Sequence, residues 1–182
     1  MKKIVITVLS FYVFIFIVFF FSGYTQAESE TAMFGANLKN TSDYSAEAAP
    51  ELCKLAWKYN IGGGAISSPA ISDGVLCVGG GNGNLYAINT DTGHRMWKFS
   101  TGGPISSSPA ISDGVVYFGS KDGNFYAINT DTGHRMWKFS TGGPISSSPA
   151  ISDGVVYFGS KDGNFYAINT DTGHRMWKFS TG

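Results

Sequence analysis

Residues 103–142 read GPISSSPAISDGVVYFGSKDGNFYAINTDTGHRMWKFSTG, and residues 143–182 repeat them without a change. Residues 63–102 are the same unit altered at ten positions. A fourth, partial copy, LAWKYNIG at 55–62, brings Trp57, Trp97, Trp137 and Trp177 into register at intervals of forty residues. A unit of this length cannot bury its own apolar faces alone, so the period points to stacked units, as in a propeller or a solenoid.

Inside the unit, turn chemistry is dense. Asp113-Gly114, Asp122-Gly123-Asn124 and Asp131-Thr132-Gly133 each offer residues that accept positive φ. Between them lie four short runs, 105–112, 115–120, 124–129 and 135–140, rich in β-branched and aromatic residues, the signature of strands joined by tight hairpins. Val115 and Tyr117 alternate with Val116 and Phe118, and Phe125 and Ala127 with Tyr126 and Ile128, so both faces of the middle strands are apolar. A sheet of that kind must be covered on both sides. The last run is wetter: Trp137 and Phe139 share a face with Arg135, while Met136 sits with Lys138 and Ser140, which suits an outermost strand. The expected fold is all-β: four-stranded antiparallel meanders stacked as β-propeller blades around an axis. The expected organisation is an orphan outer strand at 54–62 and three blades at 63–102, 103–142 and 143–182, an incomplete ring.

Ala127-x-Asn129-x-x-Thr132-Gly133-x-x-x-Trp137, which recurs from Ala87 through Gly93 to Trp97 and from Ala167 through Gly173 to Trp177, resembles the tryptophan-docking motif of the quinoprotein-type (pyrroloquinoline-quinone, PQQ) propeller repeat. The resemblance covers residues 55–182. It implies that each indole, Trp57 included, is clamped between the motif alanine and the backbone of a neighbouring blade. A small residue opposite Trp137 leaves room for a ring able to bury ~150–250 Å². The repeat type is also similar to that of the propeller lipoprotein of the bacterial outer-membrane β-barrel assembly machine, though blade number and lipid anchor differ. The leader around residues 33–42 resembles the segment that precedes such repeats in exported proteins.

At the amino terminus, Met1-Lys2-Lys3 precedes an apolar run over 4–21 and a small, polar stretch ending Thr25-Gln26-Ala27. Residues 1–27 read as a secretory signal peptide cut after Ala27. The run is also close to the ~20 residues that span a bilayer, so an uncleaved anchor is the alternative. Either way the chain is expected outside the cytoplasm, in the periplasm, on the surface or secreted, with residues 28–53 as a polar leader whose Met33-Phe34 docks on the first blade. No cysteine near Ala27 supports lipid attachment. Without Lys2 and Lys3, eleven basic side chains face thirteen acidic ones, and none are clustered, which excludes a nucleic-acid-binding stripe. Cys53 and Cys77 are the only cysteines, and the choice between a disulfide and a buried free thiol stays open.

Candidates for chemistry reduce to turns. His94, His134 and His174 sit at equivalent places a blade apart and do not converge on one ion. Asp122 and Asp131 read as turn formers rather than calcium ligands. Gly79–Gly83 lacks the helix and lysine of a phosphate cradle, and Ser106–Ser108 read as strand with no base against them. Identical blades cannot supply the unlike groups that an active site brings together. Neither a cofactor nor a metal is expected, and the chain is read as no enzyme.

The leading expectation is an exported propeller scaffold that engages protein partners at the envelope. Multivalent binding of sugars or other ligands is the alternative, and a fragment of a quinone-dependent dehydrogenase the second. Propellers use roughly four to eight blades. With three here, the expectation is either a piece of a longer, repeat-collapsed gene or copies that associate to complete a ring.

Overall fold

The computed structural model describes residues 55–181. The signal segment 1–27, the leader 28–53 with Cys53, and Lys54 at the start of the orphan strand lie outside the described residues, as does Gly182.

Twelve strands form three separate four-stranded sheets. The first holds β1 (Ala70–Ser72), β2 (Val75–Gly79), β3 (Asn84–Asn89) and β4 (Arg95–Ser100). The second holds β5 (Ala110–Ser112), β6 (Val115–Gly119), β7 (Asn124–Asn129) and β8 (Arg135–Ser140). The third holds β9 (Ala150–Ser152), β10 (Val155–Ser160), β11 (Asn164–Asn169) and β12 (Arg175–Ser180). Each is an antiparallel meander in chain order, and together they make an unclosed fan of blades.

The turns explain the meander. Asp113 and Gly114 both take positive φ, 51° and 70°, between the paired residues Ser112 and Val115. Two left-handed residues in a two-residue loop make a hairpin turn whose twist matches that of its strands. The β7–β8 turn is held by Asn129, whose Oδ1 accepts from the Thr132 amide at 2.9 Å and the Thr132 hydroxyl at 2.8 Å. An asparagine side chain standing in for backbone in this way stabilises a turn without a longer loop.

Both faces of the middle strands are buried. Val115, Tyr117, Phe125 and Ala127 of the second blade pack with Ile145, Val156, Phe158, Tyr166 and Ile168 of the third. Val116, Phe118, Tyr126 and Ile128 face the first blade and meet Val75, Cys77, Leu85 and Ala87. Phe125 and Phe158 stack with ring centroids 3.9 Å apart. The core therefore lies between sheets, in two layers of the same design.

Three local expectations change. The run 105–112 is a strand only over Ala110–Ser112. Its first half is a crossing linker: the Ile105 amide donates to the Gly80 carbonyl of the preceding blade, at 3.2 Å, and Pro109 has no amide to give a ladder. Ser106–Ser108 are accordingly not strand. Second, a bulge at Ala127/Ile128 pairs Ile128 with Arg135 instead of Met136. Arg135 thus joins the Ile128 face and leaves that of Trp137, because two residues of β8 oppose one of β7. Third, residues 55–61 form no strand. They lie on the first blade, where Trp57, Tyr59 and Ile61 pack against Val78, Tyr86 and Ile88.

Candidate functional site

The repeated motif converges at the junctions between blades. Ala127 in β7 pairs directly with Trp137 in β8, as Ala87 pairs with Trp97 and Ala167 with Trp177. The indole then leaves its own blade. Trp97 Nε1 donates to the Thr130 carbonyl at 2.6 Å, and Trp137 Nε1 to the Thr170 carbonyl at 2.7 Å. Trp57 does the same to Thr90 at 2.7 Å, although it belongs to no strand. In each case the acceptor sits in the β3–β4, β7–β8 or β11–β12 turn of the next blade.

That acceptor is held in place by its own blade. The Thr130 amide and hydroxyl both donate to the Gly114 carbonyl at 2.9 Å, and Gly133 closes the turn by donating to Asn129 at 2.9 Å. Gly133 has φ 70°, and a Cβ on it would come within 2.8 Å of the Trp97 ring. Gly93 would meet Trp57 at 2.5 Å and Gly173 would meet Trp137 at 2.7 Å. The motif glycine is thus required twice, for its backbone conformation and for the ring that lies on it. Trp177 stands apart from the other three: it is 46% exposed, while the other three are half-buried.

Two further contacts join the blades and were missed in the sequence. Asp122, read as a turn former, also crosses the junction. Its Oδ1 accepts from the Asn124 amide at 2.9 Å, while Oδ2 accepts from the Gly102 amide of the incoming linker at 2.8 Å and from the Tyr126 hydroxyl at 2.7 Å. Asp162 repeats this with Gly142 and Tyr166. Burial pushes the Asp162 carboxyl up, but the bonds from Tyr166, Gly142 and Asn164 outweigh it and bring its pKa down to about 2. Asp122 is lowered by the same balance. Asn82 fills this place in the first blade with reversed polarity, its amide donating to the Ile61 and Gly62 carbonyls. The second contact is a socket. A Cβ on Gly79 would overlap Ile105, and one on Gly119 would overlap Ile145. The available signal was a glycine at the end of each bulky strand, kept in all three units while its neighbours change.

The other candidates do not gather. His94, His134 and His174 are exposed on separate turns, and among the described residues no group of three His, Cys, Asp or Glu is placed to hold a metal ion. Of the candidate serines, Ser107 Oγ accepts from the Gly119 amide at 3.1 Å and Ser108 Oγ from the Ser68 amide at 3.0 Å, while Ser106 Oγ is buried without a hydrogen-bond partner. In the Gly79–Gly83 run, the Gly80 carbonyl accepts from the Ile105 amide. Cys77 is a free thiol, fully buried opposite Ala87, and desolvation pushes its pKa up to about 12.

Antiparallel four-stranded blades, joined through an indole that bonds the next blade's turn, define a β-propeller repeat protein of the PQQ type. A family model described as outer membrane protein assembly factor BamB matches residues 45–182, and the chain belongs to that family. No curated protein matches it. Among solved structures it is similar to BamB from Moraxella catarrhalis, at 25% identity and a TM-score of 0.62, over 69% of this chain and 39% of that one. It is also similar to the computationally designed Ika4 protein, at 19% identity and a TM-score of 0.63, over 69% of this chain and 78% of that one. The quinohemoprotein alcohol dehydrogenase ADHIIG from Pseudomonas putida HK5 matches at 24% identity and a TM-score of 0.60, over 68% of this chain and 22% of that one. The last two likenesses concern the fold alone. The chain spans about two fifths of the length of the BamB structure.

Proposed function

We propose that this is a non-enzymatic, exported propeller that acts as a protein-interaction scaffold at the cell envelope. Membership of a family named for outer membrane protein assembly is the observation that carries the reading. The motif residues support it: Gly93, Trp97, Gly133, Trp137 and Gly173 are taken up by blade-to-blade docking. The apolar run at 4–21 supports export, as a signal peptide or an anchor. The test is affinity capture from envelope extracts of the source cell with the full chain as bait, followed by reconstitution with each purified candidate. A defined, saturable partner is expected, and binding of none of the purified candidates counts against the scaffold.

The quinone-dehydrogenase reading keeps one specific observation in its favour, the likeness to quinohemoprotein alcohol dehydrogenases. Quinone and calcium added together would raise the melting temperature if they bound the folded chain. No shift is expected, and a saturable rise would favour the dehydrogenase reading.

A further inference from the structure

The first unit departs from the other two at ten positions, and six of these, 64–66 and 80–82, lie where the incoming chain crosses the β2–β3 turn. Ala65 makes a β-bridge with Gly80, and the Gly81 amide donates to the Gly64 carbonyl at 3.1 Å. At the second crossing the Lys121 amide donates to the Pro104 carbonyl in the same way, at 2.9 Å. The two crossings share that bond and differ in what surrounds it.

At the second crossing the chain presents an amide to the turn. Gly102 donates to Asp122, and the Tyr126 hydroxyl donates to the same carboxylate. At the first crossing the chain presents carbonyls instead. Asn82 Nδ2 donates to the Ile61 carbonyl at 2.9 Å and also to that of Gly62, and the Tyr86 hydroxyl donates to Ile61 as well, at 2.9 Å. The Gly62 amide is taken up inside the segment, by Asn60 Oδ1 at 2.9 Å. Gly62, Gly63 and Gly64 all have positive φ here, 62°, 130° and 77°. Proline, which stands at the equivalent position 104, cannot take the Gly64 conformation. A Cβ on Gly81, such as Lys121 carries, would come within 2.7 Å of the Gly63 carbonyl oxygen.

We propose that Asn82, Gly81 and the glycines at 62–64 form a matched lock, which admits the segment 55–64 to the first blade and refuses it at the other two. A carboxylate has no proton to offer a carbonyl, so Asp122 and Asp162 repel what Asn82 binds. Chain connectivity alone discriminates poorly between near-identical units. Docking Trp57 one unit further along lengthens its loop from 33 to 73 residues, a cost of only about threefold in closure. Misassembly is a characteristic failure of repeat proteins, and a built-in mismatch at the wrong unit guards against it. Asn82 is thus a positioning residue, acting on Trp57 through Ile61 and Gly62.

Exchange of the tryptophan indole hydrogens, followed by NMR on the full chain, tests this. Asn82→Asp is expected to speed exchange at Trp57 by at least about tenfold, with Trp97 and Trp137 unmoved. Asn82→Ala removes the donor without adding a carboxylate and is expected to have a smaller effect. Ile61→Thr, Gly64→Pro, Gly80→Ser, Gly81→Lys and Asn82→Asp, made together, give the first crossing the residues of the second and are expected to restore the protection of Trp57. A merely structural role would make the five changes worse than the one. The proposal is overturned if Asn82→Asp leaves Trp57 protected, if it loosens all three indoles equally, if Asn82→Ala does as much damage, or if the five changes together fail to restore Trp57.

Discussion

The indole of Trp97 and the backbone carbonyl of Thr130 meet across the first blade junction at 2.6 Å, thirty-three residues apart in the chain. The same span separates Trp57 from Thr90 and Trp137 from Thr170. A hydrogen bond whose donor is on one blade and whose acceptor is pinned on the next fixes both the spacing and the rotation of neighbouring sheets.

Trp97→Phe keeps an aromatic ring at the junction and removes the donor, leaving the Thr130 carbonyl without its partner. A loss of about 1–3 kcal/mol is expected from an unmet buried acceptor. Trp97→Ala removes the ring as well and is expected to cost ~3–5 kcal/mol. Urea unfolding followed by circular dichroism separates the two.

Gly119→Ala and Gly159→Ala are the same change in the same sequence. At Gly119 the new methyl collides with Ile145, and overpacking is expected to cost ~1–3 kcal/mol. At Gly159 the nearest atom is 3.7 Å away, and the change is expected to stay within about 0.5 kcal/mol. Equal effects at the two sites would show that the blade after Gly119 does not set the difference.

The acid limb of stability should carry the two linker clamps. The Asp162 carboxyl is depressed to about 2 in the folded chain, against about 3.9 for a free side chain. A depressed folded pKa means stability that is present above the unfolded value and lost as the pH falls through the folded one. Thermal midpoints are therefore expected to drop between about pH 4 and pH 2. The double variant Asp122→Ala, Asp162→Ala is expected to start lower at neutral pH and to show a shallower fall over that window. Tyr166, raised to about 12 by burial and by Asp162, adds the opposite limb, with stability lost as the pH rises past about 10.

Cys77 offers a probe of opening. A buried thiol with its pKa pushed up to about 12 carries almost no thiolate near neutral pH. In a Cys53→Ser background, labelling by a thiol reagent is expected to be slow in the folded chain and to rise in step with unfolding by urea. Fast labelling of the native chain would mean that the first junction opens on its own.

Much of this was legible in the primary structure because a forty-residue period turns local signals into global ones. The turn at Asp113-Gly114 and the strands at 124–129 and 135–140 follow from propensities that act within a few residues. The motif Ala127, Gly133, Trp137 pointed to residues that the structure places at the blade junctions. The bulge that moves Arg135 to the other face was not legible, because alternation along β8 assumes an unbroken ladder. Nor was the breakdown of 105–112, since Ile105 leaves the strand to fill a socket on another blade, a partner eliminated from any local reading.

By itself the sequence determined the blade: four strands, their hairpins, two apolar faces and an indole at a constant interval. Those depend on contacts near in the chain and on a pattern that repeats. Only the tertiary structure decided which indole is docked and which is bare, that Asp122 clamps Gly102, and that identical units at 103–142 and 143–182 differ in burial. The reason is physical. Burial belongs to a pair of surfaces, and a residue has no say over whether the second surface is there.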